Sequence, residues 1–255
     1  MKESAIKIVK RAELNKPILI VGLPGIGNVG KLVAETLKKQ FKFEKIAVLY
    51  SPHFPHQVVM LKSGGIRLVG NRFYVLKGKK GAATNDIILL TGETQAITPE
   101  GQYEVNQKIV DFFADQLKGT FIYTLGGYSV LQKPAVVPKV YANVTNKEII
   151  PKFKDSGVVF GKSRGMIWGS AGLILAYAKM RKLPGICLMG ETSALDIDAA
   201  AAKSVLLVLA KQLKLEVNTT ELDKIVEHTA KIIKQVESQM QGTPPGLDQK
   251  PSYIR

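Results

Sequence analysis

The chain has 255 residues, 45% of them hydrophobic, enough to bury the core of one large domain. A lone cysteine, Cys187, excludes a disulfide framework and a thiolate metal site, and no run reaches the ~18 to 20 apolar residues of a membrane span. The net charge of +15 is scattered rather than gathered in a stripe, and basic residues are not interleaved with aromatics. With no helix-turn-helix or zinc spacing, that charge suits an acidic protein surface or plain solvation better than nucleic acid. The first ten residues alternate charged and apolar types without a signal-peptide core, so a cytoplasmic location is expected.

Taken in chain order, residues 18–21 are a short apolar run of the kind a buried parallel strand needs. Glycines 25, 27 and 30 then open a turn into an amphipathic helix over 28–41. Further strands are predicted at 46–50, 57–61, 66–69 and 73–76, the last three reading as an antiparallel meander inserted after the second strand. Strands follow at 86–90, 120–125, 140–144, 158–160 and 186–189, with helices at 99–118, 170–182, 199–213 and 219–241. Strands alternating with helices imply an α/β fold, a mainly parallel sheet with helices on both faces. Nothing resembles an interior linker, so residues 1–241 are expected to form one domain.

The last two helices differ in kind. Residues 199–213 are apolar nearly all round, as a core helix should be. Residues 219–241 begin with a cap-like Asn218…Glu221 and carry an apolar stripe through Leu222, Val226, Ile233 and Met240. That stripe packs on its own domain or forms a seam with a neighbouring subunit. Residues 242–255 read as a flexible tail ending in Tyr253-Ile254-Arg255, a candidate terminal peptide for a partner's pocket.

Two phosphate-binding patterns are nearly met at the glycine turn. As G-x-G-x-x-G, Gly25, Gly27 and Gly30 suit a dinucleotide site, but the strand that should supply a ribose-binding acid ends in Tyr50-Ser51-Pro52. As G-x-x-x-x-G-K-[ST], the match runs to Lys31 and then fails, since Leu32 cannot ligate magnesium. The ordinary alternative is that these glycines serve tight turns and close helix-to-sheet packing. Glu93 and Glu191 follow strands in a repeated Gly-Glu-Thr. They could form an acidic ligand rim with Gly126-Gly127-Tyr128, or accept hydrogen bonds from helix N-terminal amides.

Other constellations are weaker. Gly161-Lys-Ser163-Arg-Gly165 has the nucleophile-elbow spacing, with Asp196 or Asp198 and His228 in hydrolase order. Yet no helix starts at once after it, and His228 falls mid-helix. His53 and His56 share a loop without a third ligand, so loop packing is expected rather than a metal site. Cys187 sits in an apolar run and reads as an inert buried thiol. No catalytic residue, metal or cofactor is therefore assigned.

Five pieces in order, Leu23-Pro-Gly-Ile-Gly-Asn-Val-Gly30, Leu90-Thr-Gly-Glu-Thr-Gln95, Leu125-Gly-Gly-Tyr128, Gly169-Ser-Ala-Gly-Leu-Ile-Leu175 and Leu188-Met-Gly-Glu-Thr192, resemble the proteasome assembly chaperone family, in particular its archaeal homologues. The likeness runs from about residue 17 to 241. It implies a fold like that of purine nucleoside phosphorylases without established catalysis, homo-oligomers, and ATP-independent binding to the 20S proteasome or its α subunits. Some relatives insert a C-terminal hydrophobic-Tyr-any motif between α subunits. Here Tyr253 is one place early, Ile254 stands where that tyrosine is expected, and Arg255 is last. The rival expectation from the residues alone is a nucleoside- or nucleotide-handling enzyme using the Gly25–Gly30 turn.

Overall fold

The computed structural model describes residues 1–78, 85–130, 137–161, 165–193 and 197–241, with backbone alone at 233, 234 and 236–241. Among the described residues, eleven strands are interspersed with five α-helices. They are β1 (Ala5–Ile8), β2 (Ile18–Gly22), α1 (Val29–Gln40), β3 (Glu44–Tyr50), β4 (Val58–Met60), β5 (Ile66–Leu68), β6 (Asn71–Leu76) and β7 (Ile87–Gly92). There follow α2 (Pro99–Asp111), β8 (Phe121–Ser129), β9 (Val140–Val144), β10 (Val158–Phe160), α3 (Ser170–Met180), β11 (Gly185–Thr192), α4 (Ala199–Leu213) and α5 (Thr220–Gln241).

Nine strands form one sheet in the order β1-β3-β6-β7-β2-β8-β11-β9-β10. Its heart, β7-β2-β8-β11, is parallel, as the near-continuous apolar runs require of strands covered on both faces. Antiparallel pairing frames it: β1 with β3, β3 with β6, β6 with β7, and β11 with β9. Alternation along β2 shows how the layers are built. Ile18 and Ile20 face Val29, Val33 and Leu37 of α1 and Ala201, Val205 and Leu209 of α4. Leu19 and Val21 face Val105 and Ile109 of α2 and Ile174 and Ala178 of α3.

The expected meander over 57–76 is divided. β4 and β5 form a separate two-stranded sheet, while β6 joins the main sheet between β3 and β7. Burial explains the split. β6 carries Phe73 and Val75 into the core, whereas the hairpin turns Val58, Met60, Ile66 and Leu68 to solvent. Those four make two cross-strand pairs, Val58 with Leu68 and Met60 with Ile66. β1 was missing from the sequence expectation because it is an edge strand with little burial.

The helix predicted over 99–118 is α-helical only to Asp111 and then widens into a π-turn, Phe112–Gln116, that buries Phe112 and Phe113. Its start obeys the expected chemistry, with Pro99 in the first turn and Thr98 accepting from the Gly101 amide at 3.1 Å. The expected Asn218…Glu221 cap forms only in part: the Thr220 amide donates to Asn218 Oδ1 at 2.7 Å, but the Asn218 amide turns to Gln40 Oε1 and Glu221 pairs with Lys39. Leu222 is buried and Ile225 and Val226 pack on the same core, so the first turns of the stripe lie against their own α4. Ile232 is exposed, and the side chain of Ile233 lies outside the described residues. Among the described residues, no helix is long and apolar enough to cross a membrane.

Candidate functional site

The glycine turn leaves β2, makes a 3₁₀ turn over Ile26–Asn28 and enters α1. Close packing requires glycine at several positions here. A Cβ on Gly30 would stand 2.5 Å from the Leu125 carbonyl oxygen, and one on Gly127 would stand 2.5 Å from that of Ile26. Gly27 has φ +61, and a Cβ there would meet Thr192 Oγ1 at 3.0 Å. The turn is closed from the other side too, since the Asp198 amide donates to the Gly27 carbonyl at 2.9 Å.

Lys31, the residue a P-loop would aim at phosphate, is engaged elsewhere. Its Nζ donates to the Gly92 carbonyl at 2.6 Å and to Glu35 Oε1 at 3.1 Å. Leu32 packs against the core.

The two acids expected on one rim are turned to different tasks. Glu93 receives Arg67 through both guanidinium ends, at 3.1 and 2.8 Å, and Arg72 Nη1 at 2.8 Å from each oxygen. The Gly70 amide adds a contact at 3.3 Å. Burial alone would raise the Glu93 carboxyl pKa, but hydrogen bonds from Arg67 and Arg72 outweigh it and hold the value at about 2. Glu191 Oε2 instead accepts from the Lys139 amide at 3.1 Å. Neither partner amide belongs to a helix N-terminus, so the hydrogen-bonding role is present but its expected donors are not.

Some of the remaining candidates also have structural partners. His53 Nε2 lies 3.0 Å from Glu104 Oε2, and its Nδ1 lies 3.2 Å from Thr98 Oγ1. Asp198 caps α4, accepting from the Ala201 amide at 2.9 Å, and His228 is exposed on α5. Ser163 and Asp196 lie outside the described residues, as do Tyr253, Ile254 and Arg255. Cys187 is fully buried, and burial pushes its thiol up to about 11. No group of three or more metal-ligating His, Cys, Asp or Glu residues occurs among the described residues.

A cleft of about 400 Å³ lies over the carboxyl ends of β2, β8 and β11. Val21, Leu125 and Met189 form its floor; Gly25, Ile26 and Gly126–Ser129 line one side, and the start of α3 with residues 165–168 the other. Gln95 fastens the two sides together. Its Nε2 donates to the Pro24 carbonyl at 2.5 Å and its Oε1 accepts from the Ser170 amide at 2.8 Å. Gly25, Gly30 and Tyr128 therefore do meet at one cleft, as expected of the strand ends. Glu93 and Glu191 are not among its lining residues, and Gly27 faces Thr192 instead. Trp168 and Met166, which the sequence reading passed over, stand at the cleft and are 75% and 77% exposed. Large apolar residues between Gly165 and Gly169 were the available signal.

Comparison with known proteins places this geometry in a family. The crystal structure of PbaB of Pyrococcus furiosus, an archaeal proteasome activator, superposes with a TM-score of 0.87 at 39% identity, over 93% of this chain and 100% of that one. PbaA of the same organism, an archaeal homolog of proteasome-assembly chaperone, gives 0.76 at 26% identity over 94% of both chains. An uncharacterized protein of Methanocaldococcus jannaschii is 39% identical over 237 residues, 91% of this chain and 89% of the relative. The family model for PAC2 matches residues 19–237, bearing out the likeness carried by the five sequence pieces. The chain belongs to the PAC2 family.

Proposed function

We propose that this chain is a non-catalytic, ATP-independent proteasome-binding factor, an activator or assembly chaperone that acts in the cytoplasm on the 20S particle or its α subunits. The observation that carries the reading is the chain-long likeness to PbaB, an archaeal proteasome activator, at 39% identity and a TM-score of 0.87. The chemistry of the turn agrees with it. Lys31 is bonded to Gly92 and Glu35, and Glu93 is bound to two arginines, so the groups a nucleotide-handling enzyme would use are already committed.

In this reading residues 1–241 act as one domain and the protein works as a homo-oligomer. Residues 242–255 tether Tyr253, Ile254 and Arg255 to the α ring. Several tails on one assembly raise avidity without strong individual contacts.

The test is retention of 20S α subunits on the immobilised protein without ATP, alongside its solution mass. Retention and a mass several times 27.9 kDa are expected. Deleting residues 253–255 should weaken capture of assembled particles while leaving that mass unchanged. Loss of all α-subunit capture by the full chain would refute the reading, as would tight nucleotide binding abolished by Lys31→Ala.

A further inference from the structure

The glycines around the cleft fall into two groups. Gly27, Gly30 and Gly127 are needed by the fold, because a Cβ at any of them meets fixed neighbours at 2.5 to 3.0 Å. Gly25 and Gly126 are not. A Cβ on Gly25 would find only Gln95 Nε2 at 3.6 Å, and one on Gly126 only Ala171 Cβ at 3.8 Å. Neither has a positive φ, so neither glycine is demanded by backbone conformation. Both line the cleft, and what their missing side chains preserve is its open space.

The surroundings of that space are specific. β2 pairs with β8 only as far as Val21 with Thr124, whereas β8 continues to Ser129. Past Thr124 the strand has no β2 residue beside it; the glycine turn lies there instead, Gly30 against Leu125 and Ile26 against Gly127. Tyr128 stands at this edge, its ring held 4.7 Å from that of Tyr141. Trp168 and Met166 come from the opposite side, with Met189 below. None of the described lining residues is charged. The first amide of α3, which would otherwise attract an anion, is already bonded to Gln95 Oε1.

We propose that this cleft binds an uncharged planar heteroaromatic molecule the size of a purine base or its nucleoside. Its volume falls within the ~300 to 1,000 Å³ usual for small-molecule sites, and it sits where parallel strands end between helices on opposite faces. Aromatic rings and methionines match the flat faces of such a ligand, and the hydroxyl side chains of Tyr128 and Ser129 in the lining match its hydrogen-bonding rim. Among the described lining residues, none would supply a counter-charge to a desolvated phosphate or carboxylate. The site is independent of the proteasome-binding reading.

Trp168 is the only tryptophan in the chain, so its fluorescence reports on the cleft directly. The full-length protein is titrated with adenine, adenosine and AMP, with melting temperature as a second readout. Adenine or adenosine should change Trp168 emission saturably, with AMP at least tenfold weaker. Gly126→Val should abolish the response and Gly25→Ala weaken it several-fold, each melting within about 2 °C of the parent. Capture of 20S α subunits by Gly126→Val should match the parent, which separates this site from the proteasome contact. The proposal is overturned by no saturable response to either uncharged probe at millimolar concentration, by AMP binding as tightly as adenosine, or by a response unchanged in both glycine variants. If Gly126→Val does not fold, Gly25→Ala decides alone.

Discussion

The tripeptide Gly-Glu-Thr occurs at the carboxyl ends of both β7 and β11, and the two copies put their acids to different uses. At β7, Glu93 is half-buried between Arg67 of β5 and Arg72 of β6, an ionic fastening that holds the small hairpin to the main sheet. At β11, Glu191 accepts one backbone amide, while the following Thr192 is fully buried against the glycine turn. Both glycines are required by close packing, Gly92 against Asn71 and Gly190 against Ala201; the acid carries a further structural role in the first copy, the threonine in the second. The same residues in the same topological position acquire different roles from the strands and helices beside them.

The contrast is open to direct attack. The largest effect is expected at Gly190, where a Cβ would stand 2.7 Å from the Ala201 carbonyl oxygen, part of the α4 backbone. Gly190→Val should cost on the order of 3 kcal/mol or more by denaturant unfolding, since a helix must move to admit the side chain. A near-neutral result would show that α4 is loosely seated.

Glu93→Gln comes next, at about 2 kcal/mol, because it leaves the buried Arg72 without its carboxylate. Amide exchange should quicken selectively in β4 and β5, the elements that Arg67 anchors. The same pair gives a pH signature. The folded-state pKa of Glu93 lies below its ordinary 4.5, at about 2, so its stabilisation is complete above 4.5 and fades as the pH falls toward 2. Acid titration of unfolding should therefore be shallower in Glu93→Gln over that window than in the parent. The smallest effect is expected for Glu191→Gln, within about 0.5 kcal/mol, because a neutral amide oxygen can still accept from Lys139. A loss as large as that of Glu93→Gln would erase the distinction between the copies.

Much of the architecture is legible in the residues. The runs at 140–144, 158–160 and 199–213 agree with β9, β10 and α4 end for end, because alternation, apolar run or helical period there coincides with burial. β1 escaped because an exposed edge strand leaves a faint pattern, and the 3₁₀ turn Lys147–Phe153 is too short for a period to show. The glycine turn revealed its structural role through what it lacked, an acid after β3 and a hydroxyl at Leu32. The partners of Glu93 could not be read at all. Arg67 and Arg72 precede it by 26 and 21 residues and meet it only through strand pairing. Gly126 and Tyr128 were visible as a strand end, but their separation from Trp168 closes only when α3 is set against the sheet.

The position of β2 has a consequence for how the chain is made. It pairs with β7 and β8, whose residues emerge from the ribosome some 70 and 100 positions later. β1, β3, β6 and β7 can assemble by antiparallel pairing before that, but the Ile18–Gly22 run has no second neighbour until β8 has left the exit tunnel. Non-local parallel pairing of this sort is slow and leaves apolar backbone exposed meanwhile. A strand that ends buried along its whole length is thus a hazard during synthesis.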